Sequence, residues 1–126
     1  MTPEPLVLVG AGGFARETLE LIHAINAVTP TWTVVGLLDD DERLHGGVVG
    51  GVRVIGPCED VHAHPDARVT LCVASPTRPA SRLDLSRRLG LKPERYATLI
   101  HPAAVVARSA TIGAGSVVHA GTVLTA

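Results

Sequence analysis

The sequence predicts an α/β fold, in which a small parallel sheet with crossover helices leads into the start of a parallel β-helix. Three observations carry this. Short apolar runs alternate with helical patterns through the first 99 residues. A glycine-rich turn, Gly10-Ala11-Gly12-Gly13, separates the first apolar run from the first helical pattern. From Ile100 onward the chain repeats every six residues. A strand buried on both faces reads as a continuous apolar run, and alternation with helices implies parallel pairing through crossovers. The border is expected near Leu99, giving domains 1–99 and 100–126 with no linker between them.

The first strand is Leu6-Val7-Leu8-Val9. Beyond the glycines, Ala15, Leu19, Ile22 and Ile25 recur at helical spacing and place one apolar stripe on a helix that ends by Pro30. Trp32–Leu38 is the second strand, closed by Asp39-Asp40-Asp41. The glycines from Gly46 to Gly51 lead into a short extended piece, Val52–Ile55, before Gly56-Pro57. Val69–Ala74 is the third buried strand, broken by Ser75-Pro76-Thr77. Pro79–Leu89 predicts a helix with proline in its first turn and Gly90 as a left-handed stop. Tyr96–Leu99 then extends into the repeats.

In the repeats, aliphatic residues fall at Ile100, Val106, Ile112, Val118 and Leu124. Four positions after each of the first four stands a small residue: Ala104, Ala110, Ser116 and Thr122. This is the hexapeptide pattern of a parallel β-helix. The aliphatic side chain is expected to fill the interior, and the small one to sit where the wall turns. Three such units make one turn. The last coil has nothing stacked beneath it, so fraying towards Leu124 is expected.

Composition narrows the function. With 126 residues the chain is expected to be about one domain, or one domain plus a stub of another, and its 46% hydrophobic content excludes disorder. Eleven basic against twelve acidic residues exclude the basic footprint of a nucleic-acid binder. Cys58 and Cys72 have no metal-ligand spacing, and Cys72 reads as a small core residue. The start lacks a basic segment, Leu6–Val9 is too short for a signal core, and no run is long enough to span a bilayer. A soluble, cytoplasmic protein is expected.

Gly10-Ala11-Gly12-Gly13-Phe14-Ala15 satisfies G-x-G-x-x-G/A between a strand and a helix, a Rossmann-like context. Gly10 permits the tight turn, Gly12 lets backbone approach a phosphate, and Ala15 keeps the helix close to the sheet. Amides at the helix start then face an anion. Gly12 is also a position where a positive φ is expected. Asp39 and Asp40 end the neighbouring strand, where an acid accepts a hydrogen bond from a ribose or sugar hydroxyl, an amine or a uridine. Their distance from Gly10 exceeds the usual spacing of about 20 residues. Only one mononucleotide-binding half precedes Ile100, and a dinucleotide needs two. A nucleotide-sugar suits that space better than NAD.

Four segments together point to a family. They are Val9-Gly10-Ala11-Gly12-Gly13-Phe14-Ala15-Arg16-Glu17, Leu37-Leu38-Asp39-Asp40-Asp41, Cys72-Val73-Ala74-Ser75-Pro76, and Ile100-His101-Pro102-Ala103-Ala104-Val105 running into hexapeptides. In this order they resemble the sugar O/N-acyltransferases of the NeuD/PglD type. That family includes sialic acid O-acetyltransferases and acetyltransferases of UDP-4-amino sugars. The resemblance implies a homotrimer whose small α/β domain holds a UDP-sugar or related substrate. It also implies a left-handed β-helix that holds acetyl-CoA between subunits, with a β-helix histidine as general base. By position, Gly10, Gly12 and Gly13 would lie along the substrate's phosphates or hydroxyls, with Phe14 beside them. Asp39 and Asp40 would contact the sugar or uridine, and Ala74 and Ser75 would close the pocket with Pro76 and Thr77. Phe14 stands where many relatives carry His. The family's catalytic histidine falls about one coil beyond Ala126, so this chain alone is expected to bind no acetyl-CoA and to be inactive.

The remaining polar residues read more plainly. His101 is expected to cap the first repeat corner, and His119, after Val118, lies too early to be the base. His62 and His64 form an H-x-H pair, read as surface loop, and no metal site is expected. Arg78 either meets a phosphate or is a surface charge. Glu17 is explained by the helix dipole. Two alternatives stand beside the acyltransferase: a nucleotide-sugar-binding module without chemistry, and an NAD-binding fragment.

Overall fold

The computed structural model describes residues 2–73, 77, 78 and 80–126. Its centre is a five-stranded sheet in the order β3-β4-β2-β1-β5. β1 (Glu4–Val9), β2 (Trp32–Leu38), β4 (Val52–Gly56) and β5 (Arg68–Leu71) run parallel. β3 (Val48–Val49) pairs antiparallel with β4, a hairpin made at Gly50-Gly51, both with positive φ. This antiparallel edge departs from the all-parallel sheet expected. The four parallel strands follow the 3-2-1-4 order of a doubly wound sheet, one three-stranded mononucleotide-binding half plus the next strand.

β1 is wholly apolar at its centre because layers cover both its faces. Leu6 and Leu8 pack towards α1 (Gly13–Val28), while Val7 and Val9 pack towards α2 (Ser81–Leu89) and the 3₁₀ turn Cys58–Ala63. α1 buries Ala15, Thr18, Leu21 and Ile22. Leu19 and Ile25 of the expected stripe are only partly covered, because Leu21 and Thr18 take the central positions. Thr18 is tolerated in the core since its hydroxyl donates to the Phe14 carbonyl at 2.8 Å. Asn26 ties the end of α1 to the next strand, accepting from the amides of Thr31 and Trp32 and donating to the Trp32 carbonyl.

Several boundaries differ from the sequence reading. β5 stops at Leu71 rather than Ala74, and α2 begins at Ser81. Ala74, Ser75, Pro76 and Pro79 lie outside the described residues. Gly90 does close α2 in the left-handed region, at φ 61°. Glu17 is not in the first turn of α1, which has no acidic residue, so the dipole does not account for it. Gly12 is the N-cap at φ −93°, and the positive φ falls instead on Gly10.

Leu99 and Ala97 are fully buried in or beside the α/β core, and the Ala97 amide donates to the Val69 carbonyl at 2.9 Å. The sheet therefore passes directly into the repeats. There, β6 (Leu99–Ile100) pairs in parallel with β8 (Val117–Val118), and β7 (Val105–Val106) with β9 (Val123–Leu124). Each partner lies eighteen residues along, 117 against 99 and 123 against 105, which is three hexapeptides. The small residues mark the corners. The amides of Ala104, Ala110, Ser116 and Thr122 each close a turn onto the carbonyl three residues back. Gly115 and Gly121, six apart, take positive φ beside two of these corners. The interior is less complete than the pattern suggests: Val118 is 8% exposed, but Ile100 is 38% exposed. In this pair of coils Leu99, not Ile100, is the residue sunk into the core.

Candidate nucleotide site

The parallel order places one switch point, where the chain's next strand changes side, between the carboxyl ends of β1 and β5. Ligands of open α/β sheets bind in the crevice outside such a point. A cavity of about 370 Å³ lies there, lined by Gly10, Asp39, Asp40, Val73, Arg78 and Arg88 among others. Gly10 is required by sterics. Its φ is +112°, and a Cβ would stand 2.6 Å from the Cys72 carbonyl oxygen.

Both predicted aspartates reach this crevice, yet both are occupied within the chain. Asp39 accepts the Ala11 amide on Oδ2 at 3.0 Å and the Asp41 amide on Oδ1 at 2.9 Å. Asp40 accepts the Cys58 amide at 3.0 Å and meets Arg88 Nη2 at 2.9 Å. These contacts, the Cys58 amide first and then Arg88, hold the Asp40 carboxyl below its ordinary value. Arg88 also donates to Glu59 at 2.9 Å, so it is shared between two carboxylates. Arg78 is more loosely held, 3.9 Å from Asp84. Burial pushes both the Cys58 and the Cys72 thiol up to about 11.

Gly12 and Gly13 are exposed and lie outside the lining of the crevice. A Cβ at either would meet nothing within 4 Å, so the backbone there is open to an incoming group. The first amides of α1 have no intrahelical acceptor, and its start favours an anion. Phe14, the next residue, turns towards the repeats. Its ring meets His119 edge-on, with centroids 6.3 Å apart. The predicted site residues thus form two groups, Gly10 with Asp39 and Asp40 in the crevice, and Gly12, Gly13 and Phe14 beside it. The Asp39–Ala11 bond joins them.

His101 and His119 line a separate cavity of about 380 Å³ with Glu17 and Glu20. The His101 ring accepts the Ala103 amide at 2.9 Å, the corner-capping role expected of it. His62 lies exposed 3.7 Å from Glu59, and among the described residues no three metal-ligating side chains come together. The Cys58–Asp40–Arg88–Glu59 cluster and the Arg82 donation to the Gly115 carbonyl at 2.8 Å were not visible in the sequence. No local pattern marks either one.

A mostly parallel sheet with this strand order, a glycine turn and a carboxyl-edge crevice defines a Rossmann-like α/β class of protein. The PglD N-terminal domain family matches residues 5–74, and the chain belongs to it. The chain is 33% identical over 119 residues to UDP-N-acetylbacillosamine N-acetyltransferase of Bacillus subtilis (strain 168), covering 91% of this chain and 51% of the relative. Its structure is similar to a histidine-to-asparagine variant of perosamine N-acetyltransferase from Caulobacter crescentus, solved with CoA and GDP-perosamine. That match has TM-score 0.74 and 26% identity, over 97% of this chain and 54% of the other. A Rex-family repressor shares the fold alone, with TM-score 0.51 and 16% identity over 98% of this chain and 54% of the repressor. The chain spans about half the length of the relatives it matches. Among the described residues no helix is long and apolar enough to cross a membrane.

Proposed function

We propose that this chain is the nucleotide-sugar-binding part of an acetyl-CoA-dependent sugar N- or O-acyltransferase. Residues 1–99 form the binding domain, and residues 100–126 begin a left-handed parallel β-helix. The observation that carries the reading is the crevice between β1 and β5, with the exposed glycine turn at Gly12 and Gly13 beside it. A diphosphate laid on that turn is met by backbone N–H groups and by the positive end of α1. Arg78 at the mouth adds a cation. The eighteen-residue pairing of β6 with β8 and β7 with β9 supports the coil assignment. The relatives' substrates, a UDP-sugar and a GDP-sugar by name, support a nucleotide-sugar as the ligand.

The chemistry of that class is acyl transfer. A base would take a proton from the sugar amine or hydroxyl, whose lone pair would attack the thioester carbonyl. Donors would stabilise the oxyanion, and its collapse would break the C–S bond and expel the CoA thiolate, which takes up the proton. The coils that would hold acetyl-CoA and the base are proposed to lie in the part of the relatives' length that this chain does not span, in a homotrimer. The binding domain's part is to fix the sugar's position. NAD is disfavoured because only one mononucleotide-binding half precedes Ile100 and a dinucleotide needs two.

Calorimetric titration of UDP-sugars, GDP-sugars, NAD and acetyl-CoA into the purified chain tests this. A nucleotide-sugar is expected to bind and NAD to give no signal. Tighter binding of NAD than of every nucleotide-sugar overturns the reading.

A further inference from the structure

Asp39 stands beside the glycine turn because β1 and β2 are parallel neighbours with Val9 opposite Leu38. Its backbone is pinned from both sides of the sheet. The Gly10 amide donates to the Leu38 carbonyl at 2.6 Å, and the Asp39 amide donates to the Gly56 carbonyl at 2.9 Å. His45 Nε2 lies 2.6 Å from the Asp39 carbonyl, to which it donates. With its main chain so held, the side chain has little freedom. It spans 28 residues of sequence to take the Ala11 amide on one oxygen, and it holds the Asp41 amide on the other.

We propose that Asp39 is a positioning residue for the glycine turn, and that its carboxylate sets the amides of Gly12 and Gly13 for the diphosphate of the nucleotide ligand. This rests on the nucleotide-binding reading above. Ala11 is buried, and without the carboxylate its amide would lose its acceptor, a cost that reorienting the turn would relieve. With Ala11 held inward, Gly12 and Gly13 follow on the exposed side of the turn, where a Cβ at either would touch nothing within 4 Å. The role differs from the one the family resemblance implies, a direct contact of Asp39 with sugar or base. The two are separable, because a turn-setting residue acts on the ligand's phosphates and a direct contact acts on its nucleoside.

The experiment uses the isotope-labelled chain, wild type, Asp39→Ala and Asp39→Asn, followed by amide NMR. UDP, GDP and the free nucleosides uridine and guanosine are the probes. In unliganded Asp39→Ala the Ala11 amide is expected to move upfield and to exchange at least about tenfold faster, since a charge-assisted bond is lost. Diphosphate affinity is expected to fall by about tenfold or more while nucleoside affinity holds. Asp39→Asn, which keeps one acceptor oxygen, is expected to restore part of both. An unmoved Ala11 amide overturns the proposal, as does a parallel loss of nucleoside and diphosphate binding. A wild-type chain that binds neither diphosphate overturns the nucleotide reading. In that event the Ala11 amide still decides whether the carboxylate sets the turn.

Discussion

Gly10 and Cys72 meet backbone to backbone, so closely that a Cβ on Gly10 would lie 2.6 Å from the Cys72 carbonyl oxygen. The contact joins the carboxyl ends of β1 and β5, continuing the ladder in which the Cys72 amide donates to the Val9 carbonyl at 2.7 Å. It fixes the floor of the crevice. Gly10→Ala must both clash with that carbonyl and hold an L-residue at φ +112°. We expect a loss of about 2–4 kcal/mol of stability, measured by urea unfolding.

Gly12 gives the opposite result. Its φ of −93° suits an L-residue and its surroundings are open, so Gly12→Val is expected to fold with little change in midpoint. The branched side chain would then stand where a phosphate approaches. Nucleotide-sugar affinity should drop by about tenfold or more. Unchanged affinity in the folded variant removes the ligand from this turn.

The two thiols should be inert in the native state. Both are buried, with pKa raised to about 11 from an ordinary 9.0. At pH 8 a thiol reagent is expected to label neither within minutes, and both on unfolding in guanidinium. The linkage has a definite sign. The unfolded chain loses these protons first, so stability declines as pH rises from about 9 to about 11. A melting series across that range reads it.

Asp40 acts at the other end of the scale. Its carboxyl is held low in the fold by the Cys58 amide and Arg88, so its contribution is present above the ordinary value of 3.8 and is lost as pH falls through the lowered one. The side chain is 52% exposed, which screens the Arg88 pair. Asp40→Asn should therefore cost under about 1 kcal/mol at pH 7, and the difference from wild type should close on acidification. A difference that grows towards pH 2 would refute this account.

Hydrogen exchange should grade the chain from sheet to coil. β1 and β5 have both faces covered and are expected to show the strongest protection. β9 has Val123 exposed and Leu124 only half-buried, so its amides should exchange fastest among the strands. Protection in β9 equal to that in β1 would contradict this.

What the sequence determined by itself was whatever one stretch of backbone decides from its own residues. The apolar run of β1, the glycine turn, the left-handed Gly90 and the six-residue repeat are periodicities or steric necessities. Each was legible before any contact was known. The corner at Ala104, Ala110, Ser116 and Thr122 is the clearest case, since spacing alone placed these four small residues where the wall turns, and the structure has their amides closing those turns. Tertiary structure decided which residues meet across long separations. It set the strand order that opens the crevice, the Asp39–Ala11 and Asp40–Arg88 contacts, and the Phe14–His119 edge contact. It also put the positive φ at Gly10 rather than Gly12, and laid the Cys72 carbonyl where a Cβ on Gly10 would stand. Local sterics restrict each residue to a few conformations. Which of them is used, and which polar groups find each other, depends on how the layers pack.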